Sequence, residues 1–195
     1  MSVCLSVCLI SLQANAFVWN EVGDAGRLPN TAQVPVGVGP LTQINGNYGF
    51  ITDVDMYKIF ISDPSVFVAE VTSFTPEDDD GISDSQLSLF DANGVYILQD
   101  DDGGVGLLSK IDGFVGSAGN YFLAISDFDN DPVPDTIGEQ IIDWDDESES
   151  ITTGTYEIAL EGATAASVPS VTTYCWLVLM LVGLYLAQRT SIRSI

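Results

Sequence analysis

Residues Asp53 to Ile61, Asp-Val-Asp-Met-Tyr-Lys-Ile-Phe-Ile, alternate with a period of two, and only an extended strand puts that period to use. Tyr57, Ile59 and Ile61 fall on one face, the better core candidate. Met56, Lys58 and Phe60 fall on the other, which is mixed. The strand opens on Asp53 and Asp55, two apart and on one side of the extended backbone. Such a pair repels, shares a cation, or is a solvated strand end.

Similar short segments follow at close intervals: Leu41 to Ile44, Val66 to Thr72 after a turn at Asp63-Pro64, Gln86 to Phe90, Val95 to Leu98, Leu107 to Ile111, Asn120 to Ser126 and Thr155 to Leu160. Asp91-Ala-Asn-Gly94 is a strong hairpin signal, because Gly supplies the positive φ that tight hairpin turns need. No amphipathic helix of useful length interrupts the series. These features predict an all-β chain, an antiparallel β-sandwich or jelly roll. Phe17 to Pro40, rich in Gly and Pro, reads either as an extended segment laid along the sandwich or as a flexible leader.

Three pieces in order carry a family resemblance. They are the Asp53-x-Asp55-x-Tyr57-x-Ile59 opening, Leu87-x-Leu89-Phe90-Asp91-x-x-Gly94, and Gly119-x-Tyr121-Phe-Leu-Ala-Ile125. Together they resemble the bacterial pre-peptidase C-terminal domain family over roughly Asn20 to Gly162. Trp19-x-Glu21 followed by Gly23-Asp24 is similar to secreted members of the same family. The resemblance implies a small β-sandwich of secreted proteins, generally noncatalytic and in some relatives calcium-binding.

The ends of the chain differ from its body. Met1 to Ala16 is a short apolar run ending Ala14-Asn15-Ala16, the small-x-small pattern of a signal peptide, although it has no basic start. Tyr174 to Ala187 is a continuous apolar run followed by Arg189 and Arg193, and the hydrophobic segment is counted from Val171. That is slightly short of the roughly 20 residues that span a bilayer, and the arginines would hold the C-terminus in the cytoplasm. Val168-Pro169-Ser170 before this run resembles the Val-Pro-Ser form of the PEP-CTERM sorting signals. In that family an exosortase-type enzyme recognises the tripeptide region and removes the tail. The expected organisation is therefore a signal peptide over 1–16, a sandwich domain over 17–162, a linker with the sorting motif over 163–170, and a hydrophobic helix with a basic tail over 171–195. Ala14, Ala16, Val168, Pro169 and Ser170 are the processing residues.

Cysteines agree with this division. Cys4, Cys8 and Cys175 all lie in the two terminal segments, so a processed chain has no disulfide and relies on its core or a bound metal. Between those segments, Arg27, Lys58 and Lys110 face all 28 acidic residues of a chain whose formal charge is −23. A nucleic-acid surface needs the opposite sign and is excluded.

Four acidic loops interrupt the strands: Glu77 to Asp80, Asp100 to Asp102, Asp127 to Asp135 and Asp143 to Glu149. In the third, Asp127, Asp129 and Asp131 alternate like the start of a calcium loop, but Pro132 stands where an EF-hand has its turn glycine. Asp100, Asp102, Asp127, Asp129 and Asp131 are the candidate metal ligands. Hard oxygen donors with no histidine fit Ca²⁺ rather than zinc or copper. The alternative is that crowded carboxylates only keep an exported protein soluble. Without histidine there is no Ser-His or Cys-His pair, so catalysis would fall to an Asp or Glu pair of glycosidase type.

The functional expectation is an exported, noncatalytic protein of the cell surface or extracellular matrix, structural or adhesive, in contact with polysaccharide or matrix proteins. It passes through or stays anchored in the inner membrane by its C-terminal helix. The rivals are a secreted carboxylate-dependent hydrolase acting on polysaccharide and a membrane-anchored binding domain. Trp19 and Trp144 fit either sugar stacking or core packing.

Overall fold

The computed structural model describes residues 15–77, 84–147 and 153–167. The signal-peptide residues 1–14 with Ala14, the acids after Glu77 in the first acidic loop, and the sorting motif and tail over 168–195 lie outside the described residues. Among the described residues no helix is long and apolar enough to cross a membrane.

The strands in chain order are β1 (Phe17–Asn20), β2 (Val36–Gly37), β3 (Leu41–Tyr48), β4 (Asp55–Ile61), β5 (Val68–Pro76), β6 (Ser85–Asp91), β7 (Tyr96–Asp100), β8 (Lys110–Ile111), β9 (Gly119–Asp127), β10 (Pro132–Val133), β11 (Asp143–Trp144), β12 (Gly154–Glu161), β13 (Ala163–Thr164) and β14 (Ala166–Ser167). One five-stranded sheet has the order β1-β3-β12-β5-β8, and the other β13-β4-β9-β6-β7. Pairing within them is antiparallel except where β1 lies parallel to β3. Two small two-stranded ladders, β10-β11 and β14-β2, complete the pairing.

Alternation decides which side chains meet between the sheets. Tyr57, Ile59 and Ile61 of β4 enter the main core beside Leu87 and Leu89 of β6, Leu123 and Ile125 of β9, and Ile44, Val71 and Ile158 from the facing sheet. The opposite face of the β4 sheet is covered as well. There Met56, Phe90, Phe122 and Ala124 form a second cluster under Tyr96, Ile141 and Trp144. Trp144 is buried and donates its indole N–H to the Arg27 carbonyl at 2.7 Å, and Trp19 packs against the main core. Both tryptophans are packing residues.

Several strands differ in extent from the sequence expectation. β3 continues to Tyr48 because β12 pairs along that stretch, Tyr156 facing Gly46, Thr155 facing Asn47 and Gly154 facing Tyr48. β8 keeps only Lys110 and Ile111: the Gly104 amide donates to the Leu108 carbonyl at 2.8 Å and closes Gly104 to Leu108 into a loop. β5 starts at Val68, since Asp63 caps a 3-10 turn over Pro64–Val66 by accepting the Ser65 amide. Strand pairing also runs on past Gly162, where Thr164 faces Phe60 of β4 and Ala166 faces Val36 of β2.

Candidate functional site

At the end of the sandwich where β4 begins, four acidic residues converge. Asp53 closes the connection from β3, its Oδ2 accepting the Gly49 amide at 2.6 Å. Asp55 is the first residue of β4 and is fully buried. Glu21 and Asp24 come from the segment after β1. That segment is pinned to β4 by the Met56 amide, which donates to the Gly26 carbonyl at 3.3 Å. Glu21 is oriented by two amides, Ala25 to Oε1 and Asn47 to Oε2, each at 2.8 Å. Asp24 is exposed and accepts the Gly26 amide at 3.0 Å. One carboxylate oxygen each from Glu21, Asp24 and Asp55 lies within 4.8 Å of the others.

A chain of hydroxyls holds Asp55 from inside. Tyr156 of β12 donates to Asp55 Oδ2 at 2.6 Å, and the Tyr57 and Tyr156 hydroxyl oxygens are 2.7 Å apart. Because Tyr156 spends its only proton on Asp55, Tyr57 donates to Tyr156. This geometry needs a glycine at position 46 of β3, where a Cβ would stand 2.2 Å from the Tyr156 hydroxyl oxygen. With both carboxyls ionised Asp55 Oδ1 has no donor, whereas a proton on Asp55 gives it a hydrogen bond with Glu21; the Tyr48 hydroxyl nearby is buried without a partner.

The electrostatics follow from burial. Desolvation, and then the negative charge of Glu21, push the Asp55 carboxyl up to about 9, against the opposing Tyr156 hydrogen bond. Desolvation raises Glu21 and Asp53 as well, the first opposed by the Asn47 amide and the second by the Gly49 amide. Burial raises the Tyr48 and Tyr156 hydroxyls, and the charge of Asp55 adds to both. With the carboxyls ionised the pocket holds like charges a few ångströms apart and a buried oxygen with no donor. Either a proton or a cation resolves that arrangement.

The sequence-predicted ligands lie elsewhere and do not assemble. Asp100 Oδ1 accepts the Gly103 and Lys110 amides at 2.8 and 2.6 Å, at the end of β7. Asp102 is exposed in the turn that follows. Asp131 Oδ1 accepts the amides of Gln86 and Gln99 at 2.8 and 3.0 Å. Asp129 has a left-handed φ of 69° between them, as befits a turn. Asp127 is buried at the end of β9, and its charge is felt by Tyr48 at the inner end of the β4 cluster. Among the described residues, the three-acid group able to hold a metal is Glu21, Asp24 and Asp55. The Asp53–Asp55 spacing signalled Asp55. Glu21 and Asp24 were hidden because an isolated sequence does not show that β1 lies along β3 and carries them there.

Fold and site define a class: an all-β sandwich with a buried carboxyl cluster where the N-terminal segment meets β4. No known family matches the chain, and no curated protein matches it. Among solved structures it is similar to PliG of Aeromonas hydrophila, a periplasmic lysozyme inhibitor of g-type lysozyme. That likeness covers 75% of this chain and 97% of PliG, with a TM-score of 0.36 and 10% identity. The fold assignment therefore rests on the strand pairing of this chain itself.

Proposed function

We propose that the chain is an exported, noncatalytic β-sandwich of the cell surface or extracellular matrix, structural or adhesive in role, whose N-terminal segment is locked by Ca²⁺ at Glu21, Asp24 and Asp55. The observation that carries the cation is Asp55, a fully buried carboxyl that has an oxygen without a donor when ionised and that brings a carboxylate oxygen within 4.8 Å of one from Glu21 and one from Asp24. A hard divalent ion supplies the positive charge those oxygens lack and accepts carboxylate and backbone donors without directional demands. Its chemistry here is structural: it would tie the segment after β1 to the first residue of β4. The absence of histidine from the chain leaves oxygen ligands, which favour Ca²⁺ over zinc.

The noncatalytic part of the reading has its own support. Asp55, whose carboxyl is pushed up to about 9 and so keeps its proton at neutral pH, is fully buried and offers no surface to a substrate. Export rests on the terminal segments. Ala14 and Ala16 would mark signal cleavage, and Val168, Pro169 and Ser170 would be the region read by exosortase-type machinery. Mass spectrometry of the native protein tests that part, because an intact tail beyond Ser170 removes the sorting claim.

Thermal unfolding of the full chain, with calcium, magnesium or a chelator at fixed ionic strength, tests the cation. Extracellular calcium modules bind with dissociation constants of roughly 10⁻⁴ to 10⁻³ M, and a tenfold excess over that constant adds about 1.4 kcal/mol. We expect a rise in midpoint with calcium that magnesium does not reproduce and that Asp55→Asn abolishes. A calcium shift that survives Asp55→Asn moves the ion to another site, and no shift at all removes it.

A further inference from the structure

The basic residues are few, and most of those described are firmly neutralised. Arg27 reaches Asp143 at 3.3 Å and Asp146 at 2.7 Å. Lys110 reaches Glu70 at 3.5 Å and Asp112 at 3.9 Å. Lys58, half-buried in the middle of β4, makes no ion pair to any described residue. Its ammonium instead stands 5.8 Å from the centroid of the Phe122 ring, on the neighbouring strand β9. In a chain with 28 acidic residues, an unpaired ammonium marks a place from which carboxylates are kept away.

Lys58 also lines a groove of about 490 Å³ formed with Val34, Phe60, Asn120, Ala165 and Ala166 across the C-terminal half of β4, between its neighbours β13 and β9. No acidic residue contributes to its wall. Phe60 and Val34 are exposed at its rim, and the backbone there is fixed. The Lys58 amide donates to the Gln33 carbonyl at 2.7 Å, and the Ala166 amide to the Pro35 carbonyl at 2.8 Å. The size falls within the range of pre-formed small-molecule clefts, which pair apolar walls with a few polar groups that fix orientation.

We propose that this groove binds a small free carboxylic acid with an apolar body, its carboxylate on the Lys58 ammonium and its hydrocarbon along Val34, Phe60 and Ala165. Charge complementarity selects the head group, since a charge-assisted hydrogen bond satisfies a donor left open by the protein. The surrounding charge selects the rest. A polyanion would be repelled along its length by a molecule of charge −23, whereas a single carboxylate meets only the local cation and its apolar body gains by burial. The site is separate from the Glu21–Asp55 cluster and stands or falls independently of the calcium reading.

The test is a calorimetric and ¹⁵N NMR titration of the full chain with decanoate, decanol and glucuronate as probes. Decanoate binds at least tenfold more tightly than the other two, with shifts centred on Val34, Lys58, Phe60 and Ala165. Lys58→Met lowers decanoate affinity about tenfold, to the level of decanol. Decanol binding as tightly as decanoate overturns the proposal in favour of a plain apolar crevice, and glucuronate binding as tightly overturns it in favour of an acidic-sugar site. A leucine-terminated pentapeptide that outbinds decanoate overturns it in favour of a chain terminus. No binding of decanoate at millimolar concentration overturns it outright. The comparison among probes on the unaltered chain holds even if Lys58→Met fails to fold.

Discussion

Two acidic regions of this molecule use the same residue types in opposite ways. In the surface loops the carboxylates are supplied with donors: Asp100 with two backbone amides, Asp131 with two glutamine amides, and Asp143 and Asp146 with Arg27. At the start of β4, Asp55 is sealed inside with one tyrosine hydroxyl, an oxygen without a donor when ionised, and Glu21 opposite. The first arrangement is complete as it stands. The second is complete only with a proton or a cation, and the difference is one of burial: an exposed carboxylate is satisfied by local amides and water, a buried one only by the groups packed against it.

The sharpest way to break that contrast is pH. In the presence of a chelator, the folded chain holds the Asp55 proton up to about pH 9, while the unfolded chain releases it near the ordinary carboxylate value of about 4. The folded state therefore binds the extra proton across that window, and stability falls as pH rises through it. One such group contributes at most about 1.4 kcal/mol per pH unit, or about 4 kcal/mol from pH 5 to 8. Denaturant titrations along that range should show the loss, and the slope should flatten in Asp55→Asn. An equal slope in both proteins would take the pH dependence away from Asp55, leaving Glu21 and Asp53 to carry it, and erase the contrast.

A smaller effect separates the hydrogen-bonding role of Asp55 from its charge. Asp55→Ala leaves the Tyr156 hydroxyl without its acceptor and opens a void, costing about 3 kcal/mol. Asp55→Asn keeps an acceptor for Tyr156 and offers Glu21 a donor, so at neutral pH in chelator it should match or exceed the unaltered protein in denaturant midpoint. If Asn costs as much as Ala, the carboxyl itself is required without a cation.

How far the sequence reached follows the range of the interactions involved. The alternation in β4 needs only neighbours two apart, so Tyr57, Ile59 and Ile61 were placed in the core from their spacing alone, while β6 and β9, buried on both faces, were expected as strands without a core face. Asn93-Gly94 likewise encoded its own hairpin, with Asp91 accepting the Asn93 and Val95 amides. The parallel docking of β1 on β3 brings together residues more than twenty positions apart, and nothing in Phe17 to Asn20 announces its partner. Glu21 and Asp24 were invisible as ligands for that reason. Asp127, Asp129 and Asp131 stood out for their pattern, yet the structure sends Asp127 inward and gives Asp131 to Gln86 and Gln99.

Those loop residues supply the two smallest tests. Asp131→Ala strands the amides of Gln86 and Gln99 and should cost about 1 to 2 kcal/mol in denaturant unfolding. It should leave the calcium shift intact, because it lies outside the β4 cluster. Asp102→Asn, in an exposed turn, should change stability by less than about 0.5 kcal/mol in either direction. Its value lies in the paired measurement of the melting midpoint with calcium. Removing one charge from a dense acidic surface weakens nonspecific screening by the ion only slightly, while removing a true ligand abolishes the shift. A preserved shift in Asp102→Asn beside a lost one in Asp55→Asn places the ion with the buried carboxyl. The reverse result would return calcium to the loops, where carboxylate density rather than burial would then decide where this sandwich binds it.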